Sequence, residues 1–253
     1  MTSKRFILLV LLFIMAGLLV ISCKKDKEED TPPPVPQVQL KFFFSNRVGT
    51  TTLNFDQIMY QNELGNLYSI STLQYFISDI KLNKPDGSSV LIDTIHYVDG
   101  KDQNTLLFTP SMKVPAIDYS SISFIFGLNE EKNVTGAFTN PPESLMEWPV
   151  PMGGGYHYMK LEGKVDNDGV IENYQAHTGP TMGNPYYIEV TLPSSAFTAK
   201  NGLIITIGMN INNWWTNPNT IDLNDMTSIM MNMDAQQQLK ENGGDVFFLE
   251  SVE

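Results

Sequence analysis

Val38-Gln39-Leu40-Lys41-Phe42-Phe43-Phe44 carries an apolar side chain at every second position, Val38, Leu40, Phe42 and Phe44, with Gln39 and Lys41 between them. A period of two sends alternate side chains to opposite faces of an extended chain, so this stretch predicts a half-buried strand. The same period returns at Ile122, Phe124 and Phe126, at Tyr186, Ile188, Val190 and Leu192, and at Leu203, Ile205, Ile207 and Met209. Between these runs lie turn formers: Asn83-Lys84-Pro85-Asp86-Gly87, Asp99-Gly100 and Asp166-Asn167-Asp168-Gly169. Many short strands divided by such turns predict an all-β fold, a β-sandwich. One helix is predicted, from about Met233 to Glu241, with Gly243-Gly244 just past its end as a stop signal. Residues 37–253 read as a single domain without internal repeats.

The N-terminal residues have a different character. Lys4 and Arg5 precede an unbroken apolar stretch from Phe6 to Ile21, followed by Ser22 and Cys23, the one cysteine of the chain. The stretch is short for a spanning helix and runs directly into the cysteine, so residues 1–22 read as a lipoprotein signal peptide and Cys23 as the lipidated residue. Residues 23–36 hold the charged run Lys24 to Asp30 and then Thr31-Pro32-Pro33-Pro34-Val35-Pro36. Neither segment can bury a core, which makes this region a solvated, flexible linker. The charged run resembles the export signals of lipoproteins bound for the outer face of a Gram-negative outer membrane, and reads equally as plain tether charge. The expected location is therefore the outer membrane, periplasmic or surface-exposed, with the membrane engaged through the lipid anchor at Cys23. With Cys23 acylated no thiol remains for a disulfide, and the domain is expected to be held by its core alone.

The chain is acidic, with a formal net charge of −12, and loss of Lys4 and Arg5 with the signal peptide takes the mature form to −14. An acidic surface repels phosphate, and no Lys/Arg cluster with interleaved aromatics offsets it, so nucleic acid is not an expected partner. Phosphate loops, nucleophile elbows, His-Glu-x-x-His and paired cysteines are all absent from the sequence. No catalytic role is expected.

The scarce residues fall unevenly. Of three histidines, His96, His157 and His177, two sit within Leu145–Gly179, a segment that also holds Met146, Glu147, Trp148, Gly153-Gly154-Gly155 and Met159. Imidazole with thioether is a soft ligand set suited to copper. If Asn167-Asp168-Gly169 forms a three-residue hairpin loop, Asp166 pairs with Val170 and Met159 faces His177. His157 and His177 then share one face at diagonal positions about 7 to 8 Å apart. A one-residue slip would place them on opposite faces. Against this stand plainer readings: a hydrogen-bonded structural role for each histidine, Trp148 as a plug at a sandwich end, and Met230, Met231 and Met233 as core filler. A metal-free reading is also open, in which the sandwich binds a glycan or protein partner through an exposed aromatic patch around Trp214-Trp215.

Leu53-Asn54-Phe55, Tyr60 to Asn66 and Ile70 to Leu82 resemble the opening of the MbnP-like copper-binding domain. The likeness continues in order through His96-Tyr97-Val98-Asp99, Ile122 to Gly127, Met146-Glu147-Trp148, Gly155 to Gly163 and His177-Thr178-Gly179. The resemblance implies a secreted β-sandwich related to surface copper proteins of methane-oxidising bacteria, some encoded beside a dihaem peroxidase-like partner. It also implies that Trp148 matches a tryptophan oxidised to kynurenine, and that His177 is an imidazole ligand to copper. One position departs: those relatives carry a histidine two residues after the tryptophan, where this chain has Val150, and His157 is the candidate substitute. The expected metal residues are thus His177, His157 and Trp148, and the expected cofactor is copper.

Overall fold

The computed structural model describes residues 33–253, so the signal peptide, Cys23 and the charged run lie outside the described residues. Pro33 to Pro36 are exposed and carry no regular structure. Val35–Glu253 form one compact unit.

Nine strands of four or more residues build this unit. They are β1 Lys41–Val48, β2 Thr72–Asn83, β3 Ser89–Asp99, β4 Ser121–Phe126, β5 Met159–Asn167, β6 Val170–Thr178, β7 Ile188–Thr191, β8 Ile204–Asn210 and β9 Phe247–Val252. The larger sheet runs β7-β4-β2-β5, with β3 pairing β2 and β6 pairing β5. The smaller runs β9-β8-β1. Pairing is antiparallel except between β1 and β8, which run parallel and bring the two ends of the domain together. The alternating residues behave as their period predicts. Phe42 and Phe44 of β1, Ile122, Phe124 and Phe126 of β4, and Ile205 and Ile207 of β8 join one core with Tyr75, Ile77, Leu161 and Val165 of the larger sheet. This is an all-β sandwich.

The larger sheet is covered on its other face as well. Phe76, set between core residues Tyr75 and Ile77 on β2, packs outward with Tyr97, Leu128, Met146, Tyr156 and Tyr158. These form a second, smaller core beneath the long connection from β4 to β5. That connection is pinned to β2 by Lys132, whose Nζ lies 2.7 Å from Asp79 Oδ2. Asp79 itself occupies the left-handed region, φ 51°, where the ladder is irregular.

Two expectations are corrected, and the expected helix is present with a different role for the glycine at its end. The hairpin between β5 and β6 has a two-residue turn: Asn167 pairs with Val170, Met159 with Thr178, and Lys160 with His177. Asp168 and Gly169 take φ values of 52° and 90°, the paired positive angles of a type I′ turn, whose twist matches that of the flanking strands. The helix spans Met233–Asn242, and Gly243 at its end is right-handed, φ −63°. What Gly243 supplies is space, since a Cβ there would come within 2.1 Å of Ile188. Met231 and Met233 are exposed and are not core filler; the buried methionine of this region is Met226.

Candidate metal centre

Residues 146–148 and 155–157 face each other as a short antiparallel bridge. Trp148 N–H donates to the Gly155 carbonyl at 2.8 Å, and His157 N–H donates to the Met146 carbonyl at 2.7 Å. The intervening chain turns through Gly153, Gly154 and Gly155, all at positive φ, a conformation that strains any residue bearing a Cβ. All three also lie where a Cβ would collide: at Gly153 with the Pro180 carbonyl, at 2.0 Å, at Gly154 with Thr135 Oγ1, at 2.7 Å, and at Gly155 with Asn133, at 2.6 Å.

This tight loop seats Trp148 with no exposed surface, its Nε1 donating to the Met152 carbonyl at 3.1 Å. The indole lies against Gly179, where a Cβ would meet Trp148 Cε3 at 2.4 Å. His157 is next to it. The indole and imidazole centroids are 4.7 Å apart, edge to face. His157 is in turn 5.0 Å from His177, again edge to face. The three residues expected from the sequence are therefore brought together, in the order Trp148, His157, His177. His96 lies elsewhere, stacked on Phe108 at 4.1 Å with Nε2 2.8 Å from the Thr105 carbonyl, a structural arrangement.

The histidines do not meet in the way the sequence suggested. In the actual register Lys160, not Met159, faces His177, which places His177 on the outward side with Lys160 and Glu162. His157 lies before the first residue of β5 and before a bend at Tyr158, so the alternation of the strand does not govern it.

Each imidazole is held through one nitrogen. His157 Nδ1 is 2.9 Å from the Met146 carbonyl, which can only accept, so Nδ1 carries the proton and Nε2 the lone pair. His177 Nε2 is 2.7 Å from Glu162 Oε1. Its Nδ1 is buried and has no hydrogen-bond partner, although such atoms are nearly always satisfied. Burial pushes the His157 imidazolium pKa down to about 3, with the positive charge of Lys160 adding to the effect, so the ring is neutral near pH 7. Glu162 is held below the usual carboxylate range, chiefly by its hydrogen bond to His177. Burial lowers Lys160, whose Nζ reaches the Leu145 carbonyl at 2.7 Å.

Glu162 and Gln236 were not singled out by the sequence. Glu162 shares a strand face with Lys160 by alternation, but its meeting with His177 is readable only once the register is known. Gln236, fully buried on the C-terminal helix, donates Nε2–H to the His177 carbonyl at 2.7 Å and accepts Gly179 N–H at 3.2 Å. It clamps the end of β6 from outside the sheet, and no local pattern marks it. Val150 lies on the surface in a single 3₁₀ turn. Among the described residues no set of three or more His, Cys, Asp or Glu side chains is arranged to hold a metal ion.

The family model described as MbnP matches residues 37–232, which include Trp148, His157 and His177. The chain belongs to the MbnP family. A solved structure, MbnP from Methylosinus trichosporium, matches with a TM-score of 0.52 at 11% identity, covering 75% of this chain and 80% of that one. At that identity the likeness bears on the fold, and it agrees with the sandwich described above. No curated protein matches the chain. The match to the MbnP family model ends one residue before the helix that carries Gln236.

Proposed function

We propose that this protein is an extracytoplasmic lipoprotein that binds one copper ion for acquisition or storage, without catalytic turnover. The observation that carries this reading is the buried pair of imidazoles 5.0 Å apart beside Trp148, one ring with an unpartnered Nδ1. Imidazole suits copper, and a donor set limited to two histidines favours copper(I), a filled-shell ion content with few ligands. Membership of the MbnP family supports the same reading, as does the acidic surface, which attracts cations. Trp148 forms one wall of the site and is the residue that a dihaem peroxidase-like partner would oxidise; the mass of the Trp148 peptide from native material tests that role. Cys23 is the proposed lipid anchor, at the outer membrane, with the domain on its periplasmic or outer side.

The metal-free alternative needs Trp214 and Trp215 on the surface and the histidines far apart. Both indoles are fully buried and the histidines adjoin, so neither requirement is met.

An anaerobic copper(I) titration of residues 31–253 against a chromophoric competitor tests the copper reading. One tightly held equivalent is expected in the unsubstituted protein and none in His177→Ala. Equal, weak uptake by both would remove the site.

A further inference from the structure

We propose that Glu162 is the positioning residue of this site: it fixes the tautomer of His177 so that the Nδ1 lone pair is free for a soft ion. The inference rests on reading His177 as a ligand, but its physical content lies in this chain's own residues. A neutral imidazole has one N–H and one lone pair, and exchanging them costs little in water. In the fold the exchange is blocked from one side. Glu162 Oε1 lies 2.7 Å from His177 Nε2, and a carboxylate only accepts, so Nε2 must carry the proton. The lone pair is left on Nδ1, which is buried and satisfied by nothing.

An unpartnered buried acceptor destabilises a protein that has no ligand to satisfy it. Its persistence here is accounted for if a ligand completes it. The backbone is fixed at the same point, because Gln236 grips both the His177 carbonyl and the Gly179 amide. Ring orientation, tautomer and backbone are thus set from three directions. His157 has the matching device with the opposite polarity: the Met146 carbonyl holds Nδ1–H and leaves Nε2 free. One imidazole offers Nδ1 and the other Nε2. The Met146 carbonyl cannot be altered by substitution, whereas Glu162 can, which makes Glu162 the testable half of the arrangement. Outer partners of this kind hold ring tautomers in metal sites generally.

The experiment is long-range ¹H–¹⁵N correlation NMR of metal-free residues 31–253 labelled at histidine, which reports each ring's tautomer directly. His177 is expected as the Nε2–H form. In Glu162→Leu, which removes the acceptor facing Nε2, the His177 signals should move toward the Nδ1–H form, while those of His96 stay in place. Copper(I) affinity should fall about 10- to 100-fold. A His177 already in the Nδ1–H form in the unsubstituted protein overturns the proposal without any variant. So does an unaltered His177 tautomer in a folded Glu162→Leu protein, whatever its affinity. A changed tautomer with copper(I) bound by neither protein upholds the role of Glu162 and removes the copper reading instead.

Discussion

Gly179 has no room for a methyl group. Its φ is unremarkable, and what forbids a side chain is Trp148, whose Cε3 would lie 2.4 Å from the new carbon. Gly179→Ala must therefore displace the indole or the end of β6. We expect a loss of about 1–3 kcal/mol, the usual cost of overpacking, together with an altered tryptophan emission spectrum. Urea unfolding followed by fluorescence measures both, and an unchanged midpoint would mean that Trp148 is not seated on Gly179. At this scale the sequence was informative about identity and silent about support. Trp148, His157 and His177 stand out because such residues are rare in this chain. Glu162 is one of many carboxylates, and Gln236 is a polar residue on a largely polar helix; neither is distinguishable until the register and the packing of the helix are known.

At the scale of the element, Asp166-Asn167-Asp168-Gly169 marks a turn and leaves its length open. A three-residue loop and a two-residue loop both use Gly169 at positive φ, and only the second adds Asp168 there. The difference of one residue exchanges the faces of the whole hairpin. The histidines are neighbours all the same, because the bend at Tyr158 takes His157 out of the strand before alternation applies. Strand identity was legible because it depends on local alternation, whereas register depends on turn geometry and was not. Gly169 contrasts with Gly179. A Cβ at Gly169 would meet nothing within 4 Å, yet φ is +90°. Gly169→Ala is expected to cost about 1 kcal/mol through backbone strain alone, leaving copper(I) uptake unchanged. Loss of uptake in a folded Gly169→Ala protein would show that the turn, and not the β5–β6 ladder, holds the site in place.

For the whole molecule, the burial of His157 couples folding to pH. The ring has a pKa of about 3 in the folded protein and near 6.5 when exposed, so the folded state binds fewer protons between those values. Stability is then full above pH 6.5 and falls as the pH drops toward 3, by about 1.4 kcal/mol per unit. Glu162 acts in the same direction at lower pH, because its depressed carboxyl stabilises the fold above the unfolded pKa and that contribution is lost on protonation. Between pH 6.5 and 5 His96, also lowered by burial, adds to the same trend, so the share of His157 is the difference between two proteins. The unsubstituted protein should lose about 2 kcal/mol more over this window than His157→Gln, as measured by denaturant unfolding at each pH. Equal slopes would place the exposed, titrating form of His157 in the folded state. The sandwich itself was readable in outline, since two-residue periodicity and turn residues report directly on half-buried strands. The second core on the outer face, which walls the histidine site, was not readable. It is built from the β4–β5 connection, whose packing against β2 depends on Phe76, Tyr156 and Tyr158 meeting across long sequence separations.

In the function proposed above, two imidazoles, His157 and His177, form one copper(I) site beside Trp148. Crystals of the copper(I)-loaded protein, measured on both sides of the copper absorption edge, locate the ion without reference to activity. A single anomalous peak is expected within bonding reach of His157 Nε2 and His177 Nδ1, and none in crystals of His177→Ala. A peak at the exposed Met231 and Met233 thioethers, with the histidine pair empty, would contradict it.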